Sequence, residues 1–179
     1  MSTAVLLYES FNPPTKSHRE MFDKLQEVSK ERGIESYIIP SSVSDNNTEP
    51  LRYFDKLNFL KQMFPDVDKL KQTPEEYIPS LKKSCEHLYK LGYKNIVIIC
   101  QKSEYVPTRY IIETYNGKKT RNGYYKFESI DYVWCDDLEF TSRDSVNLVR
   151  EGKIKEFNKT LPEKFDGRVL YEKIKLGLK

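Results

Sequence analysis

The sequence predicts a doubly wound α/β domain built on a parallel sheet, and three observations point to it. Short, near-continuous runs of Val, Ile and Leu recur along the chain, as buried parallel strands require. Segments with apolar residues at helical spacing lie between them. Strand and helix alternate from end to end of the 179 residues, with no internal repeat, low-complexity tract or linker.

The strands come first from their apolar runs. Ala4-Val5-Leu6-Leu7-Tyr8, Ser36-Tyr37-Ile38-Ile39-Pro40 and Asn95-Ile96-Val97-Ile98-Ile99-Cys100 read as strands covered on both faces. Ser129-Ile130-Asp131-Tyr132-Val133-Trp134 is less apolar and alternates, which suits a strand nearer the sheet edge. The helical segments follow. His18 to Lys30 aligns Met21, Phe22, Leu25 and Val28 on one stripe, and Leu51 to Phe64 aligns Phe54, Leu57, Leu60 and Phe64 before Pro65 stops it. Pro74 to Leu91 carries Ile78, Leu81, Cys85, Leu88 and Leu91, with Gly92 as a stop. Asn116-Gly117 and Asn122-Gly123 mark a turn-rich excursion before the fourth strand. Thr141 to Glu151 and Lys164 to Leu178 read as closing helices of a single domain spanning 1–179.

Composition excludes several classes. There are 30 Lys and Arg against 27 Asp and Glu, a formal net charge of +3. That balance has no basic stripe, so nucleic acid is not an expected partner. The Lys-rich end from Lys153 to Lys179 is interleaved with Glu and Asp and reads as a solvated helix face. The 13 Tyr, 9 Phe and 1 Trp argue for a packed chain rather than a disordered one. The longest aliphatic run, Ile96 to Ile99, is far too short to span a membrane. No basic segment followed by an apolar stretch opens the chain, and Cys85, Cys100 and Cys135 fit neither a disulfide framework nor a zinc site. The expectation is a reduced, cytoplasmic protein. Asp136-Asp137 and His87 read as a solvated loop and a structural helix residue, and no metal site is expected.

Ligands of doubly wound sheets bind beyond the carboxyl ends of the strands. That directs attention to Glu9–His18, Ser41–Pro50, Gln101–Val106 and Cys135–Arg143. In the first, a strand leads through a proline-bearing loop into a helix N-terminus, a setting in which unpaired N–H groups attract anions. His18 there suits a hydrogen bond to a phosphate oxygen. The plainer alternative is that Pro13-Pro14 turns the chain, Thr15 or Ser17 caps the helix, and His18 lies on the surface.

Phe11-Asn12-Pro13-Pro14-Thr15-Lys16-Ser17-His18 resembles the motif Phe-x-Pro-x-(His/Thr)-x-Gly-His of the nucleotidyltransferase superfamily, to which nicotinamide mononucleotide and phosphopantetheine adenylyltransferases and the cytidylyltransferases belong. The chain is more specifically similar to a phage-encoded branch of it, from Ala4 to about Leu178. Glu49-Pro50-Leu51 with Lys56, Phe59, Leu60, Met63, Phe64 and Pro65 carries part of that likeness. Val106-Pro107, Tyr115 to Lys118, Gly123 to Ile130, Glu151-Gly152 and Phe157 to Pro162 continue it in order. The resemblance implies a Rossmann-like sheet. It also implies transfer of a nucleotidyl group from ATP or CTP, with Mg²⁺, to a phosphorylated small molecule, releasing pyrophosphate. By motif position, Thr15 and His18 would touch the triphosphate as the catalytic pair. Ser142, with Thr141 beside it, falls in the second phosphate-binding motif, and Asn12, Ser17, Lys102 and Arg143 are further candidates for the nucleotide and phosphate site.

The chain also departs from that pattern. Glu9 stands where the family has Gly against the nucleotide, and Ser17 replaces the motif Gly. Lys102-Ser103-Glu104-Tyr105 replaces Gly-Ser-Asp-Arg. In Thr141-Ser142-Arg143-Asp144-Ser145-Val146 the position of the family's Arg is Val146, with Arg143 and Arg150 as the nearest substitutes. Two expectations follow. One is a degenerate relative with weakened or lost catalysis and no cofactor, acting in the host-cell cytoplasm or the virion through a protein partner or self-association, with Tyr105, Tyr110, Tyr115, Tyr124 and Tyr125 as candidate contacts. The other is an active transferase with a shifted phosphate site.

Overall fold

A computed structural model describes residues 2–179. Its strands are β1 (Thr3–Glu9), β2 (Glu35–Pro40), β3 (Asn95–Gln101) and β4 (Ser129–Cys135), in the sheet order β2-β1-β3-β4. β1 and β3 pair in parallel with Ala4 beside Ile96, and β3 and β4 pair in parallel with Ile96 beside Ile130. Parallel neighbours need crossovers, and helices supply them. They are α1 (His18–Arg32), α2 (Tyr53–Met63), α3 (Leu81–Lys90) and α4 (Tyr105–Tyr115), followed by α5 (Ser142–Arg150), α6 (Ile154–Asn158) and α7 (Arg168–Gly177). The doubly wound parallel fold predicted from the sequence is the one observed. β1 and β3 lie inside the sheet and bury Ala4–Leu7 and Ile96–Cys100, whereas the alternating β4 forms an edge.

The chain divides into two compact units. The first comprises 2–8, 20–39 and 73–137. Its core joins Leu6, Ile96 and Ile98 of the sheet to Cys85, Leu88 and Ile112 of the helices, and to Tyr125 and Phe127. The turn-rich excursion is therefore not a simple solvent loop. It buries two aromatics, and the Tyr125 hydroxyl donates to the Ile112 carbonyl at 2.7 Å. The second unit comprises 9–19, 40–72 and 138–179. Phe59, Leu60 and Phe64 are buried there together with Val146, Val149, Phe157, Leu170 and Ile174. Gly177 allows the end of α7 to pass the Pro50 carbonyl, since a Cβ at that position would stand 2.1 Å from its oxygen.

Several elements differ from the sequence expectation, among them the short α6, which it did not include. The helix expected from Pro74 begins only at Leu81, because Pro79 disfavours helical backbone before it and Ser80 caps the helix by accepting the Lys83 N–H. The closing helix expected from Lys164 begins at Arg168, whose N–H is held by Asp166. α4 had no counterpart in the sequence reading. It buries only Ile112 and turns apolar side chains outward, so it lacks the stripe that reveals an amphipathic helix.

Candidate functional site

The second unit holds the turn that leaves β1 and enters α1. Phe11 there has φ +48°, a left-handed conformation that a non-glycine residue adopts at a cost of about 1 kcal/mol or more. Asn12 anchors the turn at both ends of its amide. Its Nδ2 donates to the Leu51 carbonyl at 3.0 Å, and the Leu51 N–H donates to its Oδ1 at 2.8 Å. The Asn12–Pro13 peptide is cis.

His18 is buried rather than on the surface, with its ring against Phe11 at 4.8 Å between centroids. The Thr15 N–H donates to His18 Nδ1 at 2.9 Å, so that nitrogen is an acceptor and the ring proton sits on Nε2. Burial pushes the imidazole down to about 4, so the ring is neutral near pH 7. Among the described residues Nε2 has no hydrogen-bond partner.

Thr15 and Ser142 both spend their hydroxyl protons internally. Thr15 Oγ1 donates to the Phe140 carbonyl at 2.8 Å, and Ser142 Oγ donates to the Pro13 carbonyl at 2.7 Å. Ser17 Oγ accepts the Phe140 N–H at 3.0 Å. Asn12, Thr15, Ser17, His18 and Ser142 therefore come together in one unit as a network that closes largely on main chain. Arg143 is exposed on α5 and joins none of these bonds. Arg150 is engaged elsewhere, on the side chain of Asn47 at 2.9 Å and on the Asn47 carbonyl. Val146 is buried on the inner face of α5. Asp144 closes a capping box. The Thr141 N–H donates to its carboxylate at 3.0 Å and its own N–H to Thr141 Oγ1 at 3.1 Å.

One residue of this unit is missing from the sequence-derived site. Lys56 of α2 is wholly buried, and its Nζ donates to the Ser41 carbonyl. Burial pushes its ammonium down to about 8, and the carboxylates of Glu49 and Glu9 oppose that fall. Burial in turn raises Glu49 above the usual carboxylate range. Glu9 thus has an internal counter-charge. The available signal was a lysine on the apolar stripe of a helix, three and four residues before Phe59 and Leu60.

Lys102 belongs to the first unit, where it opens a short 3₁₀ turn after β3. It is exposed, and its Nζ lies 5.6 Å from the Trp134 ring centroid. The Tyr105 ring stacks on Trp134 at 5.9 Å and 23°. Asp137 accepts the Ser103 N–H at 2.9 Å, which accounts for one of the two adjacent aspartates. His87 pairs with Glu76, as suits a structural residue. Among the described residues, no three His, Cys, Asp or Glu side chains are grouped as metal ligands, and no helix is long and apolar enough to cross a membrane.

No protein-family model and no curated protein matches the chain. A solved structure does. It is a protein of Vibrio parahaemolyticus described as a nicotinate-nucleotide adenylyltransferase, 14% identical, with a TM-score of 0.54 over 100% of both chains. The two proteins share a fold. At that identity the likeness concerns architecture alone, a parallel α/β sheet with flanking helices.

Proposed function

We propose that this chain keeps a nucleotidyltransferase-like fold, has lost ordinary nucleotidyl transfer, and serves as a binding protein. The single observation that carries this reading is the commitment of its polar site residues. Asn12 is spent on the Leu51 main chain, and the Thr15 and Ser142 protons are spent on carbonyls. A hydroxyl has one proton, so neither can also donate to a phosphate oxygen without breaking an internal bond. A buried Val146 and a retained Glu9 carboxylate add to it. The resemblance to a phage-encoded branch favours an accessory or virion-associated role.

One observation favours a second reading, an active adenylyl- or cytidylyltransferase. The Thr15 N–H holds the His18 ring in a single tautomer with an unpartnered Nε2–H, the group wanted for a phosphate oxygen. In that reaction an oxygen of the acceptor phosphate attacks the α-phosphorus of ATP or CTP, and the bond to the bridging oxygen of the β-phosphate breaks. Pyrophosphate leaves. Mg²⁺ would arrive with the triphosphate and neutralise part of its charge. Arg143 and Lys16 are exposed side chains of the same unit with positive charge to offer.

Thermal-shift titrations with ATP and CTP, each with Mg²⁺, separate the two, beside a His18→Ala control. Binding at a hundredfold excess over Kd adds about 2.7 kcal/mol to the folded state, an increment such a scan resolves. The proposed reading expects no shift at millimolar nucleotide and no pyrophosphate release with phosphorylated acceptors. A shift lost in the control, accompanied by pyrophosphate, replaces it with the second.

A further inference from the structure

The solvent face of α4 is apolar. Val106 is 72% exposed, Tyr110 71% and Ile111 40%, and Pro107 is exposed between them. With a turn every 3.6 residues, Val106, Pro107, Tyr110 and Thr114 lie opposite the buried Ile112. A surface helix ordinarily carries its charges on that side. Here the only charges on the helix are Arg109 and Glu113, on one flank, bonded to each other at 3.1 and 3.2 Å. At the N-terminal end, Tyr105 stacks on Trp134, itself 48% exposed on the edge strand β4, and prolongs the aromatic surface.

We infer that this face is a self-association surface, on which a second copy of the chain docks through its own α4, antiparallel about a two-fold axis near Ile111. The charge pattern selects the occupant. An isologous two-fold interface must be complementary to itself. Arg109 and Glu113 are opposite in sign and lie two residues to either side of Ile111, on the same flank. An antiparallel copy therefore sets the partner's Glu113 beside Arg109 and the partner's Arg109 beside Glu113. The intrahelical ion pairs exchange for intermolecular ones while Tyr110, Val106 and Ile111 leave water. A partner of one predominant charge would find this flank already neutral. Aromatic residues ringed by few charges are also what the centre of an interface contains. The inference stands apart from whether the His18 site turns over nucleotide.

Sedimentation velocity on the full chain, over a concentration series reaching several hundred micromolar, tests it with three variants. Tyr110 and the two charged residues are exposed, so the variants should fold, which circular dichroism checks. The wild type is expected to pass from monomer to dimer as concentration rises. Tyr110→Lys should weaken dimerisation by about tenfold or more, as loss of a central aromatic does. Arg109→Glu should weaken it by placing like charges across the axis, and the double exchange Arg109→Glu with Glu113→Arg should restore it. A wild type that stays monomeric throughout overturns the proposal, as would happen if this face served a different protein. A dimer insensitive to Tyr110→Lys and Arg109→Glu also overturns it.

Discussion

Acidification should destabilise this protein earlier than its carboxylates alone would dictate, through His18. The ring is buried and neutral, with its value lowered from 6.5 in the unfolded chain to about 4. Between those values the unfolded state binds a proton that the folded state refuses, so stability rises with pH and is lost as pH falls. The contribution is intact above pH 6.5, falls by about 2 kcal/mol at pH 5, and falls by about 3 kcal/mol at pH 4. Asp45, held by the N–H groups of Asn47, Thr48 and Glu49, titrates well below that window and does not obscure it. Glu49 shifts the opposite way and requires a control. His18→Asn supplies one, because its side-chain oxygen can accept the Thr15 N–H as Nδ1 does while carrying no titratable proton. Urea unfolding at pH 7 and pH 5 should show the wild type losing about 2 kcal/mol more than the variant. The chain has only two histidines, so NMR can follow each ring directly. Equal losses in the two proteins, or a His18 that titrates near 6.5, would refute the account of a buried neutral ring fixed by Thr15.

Three other perturbations have defined outcomes. Asn12→Ala leaves the N–H and carbonyl of Leu51 without partners, each worth about 1–3 kcal/mol when buried, and thermal unfolding should fall accordingly, with Asn12→Asp intermediate because it keeps only the acceptor. Lys56→Met removes a buried ammonium whose value is depressed to about 8; the wild type should therefore gain about 2 kcal/mol on the variant between pH 7 and pH 9.5, measured by denaturant unfolding, as the unfolded chain keeps a proton that the folded one sheds. Gly123→Ala builds a Cβ 1.8 Å from the Glu86 carboxylate, which Lys83 and Lys90 hold at 2.9 and 2.8 Å, on backbone at φ +128°. The loss should be about 2 kcal/mol or more, and Glu86→Ala in the same background should recover part of it, read from the urea midpoint.

What could be read from the sequence divides along a physical line. Three of the four strands were legible as near-continuous apolar runs and β4 as an alternating one, and Ile96–Ile99 has no other place to go. α4 was not, because apolar residues also face outward and leave no amphipathic stripe to read. The position of His18 was legible, since strand, loop and helix start are local features. Its burial and the fate of the neighbouring hydroxyls were not. Thr15 donates to Phe140 and Ser142 to Pro13, contacts separated by 125 and 129 residues, which no local pattern announces. Asp144 falls between: Thr-x-x-Asp before a helix is a capping signature, and the same residues also resemble a phosphate motif.

That same stretch bears on whether the proposed loss of nucleotidyl transfer could be undone by a single substitution. Val146→Arg puts back the side chain expected at that position, and a site merely missing one donor would gain nucleotide affinity from it. The structure argues otherwise. Val146 is 2% exposed, and its neighbour Ser145 is buried with its hydroxyl 3.2 Å from that of Thr160. A guanidinium introduced there would be buried with no carboxylate assembled to meet it, a cost of several kcal/mol against a total stability of about 5–15. The exposed arginines, 143 and 150, stand seven residues apart, two turns along the outer face of α5, while Ser145, Val146 and Val149 form its inner face. What separates α5 from a phosphate-binding helix is thus the side it turns inward, a property of packing against α6 and α7 rather than of one residue. Val146→Arg should therefore express poorly or unfold at markedly lower denaturant, with no nucleotide-dependent thermal shift. A folded variant of unchanged stability that binds ATP or CTP where the wild type does not would show that α5 is one residue from function, and the case for a lost activity would fall with it.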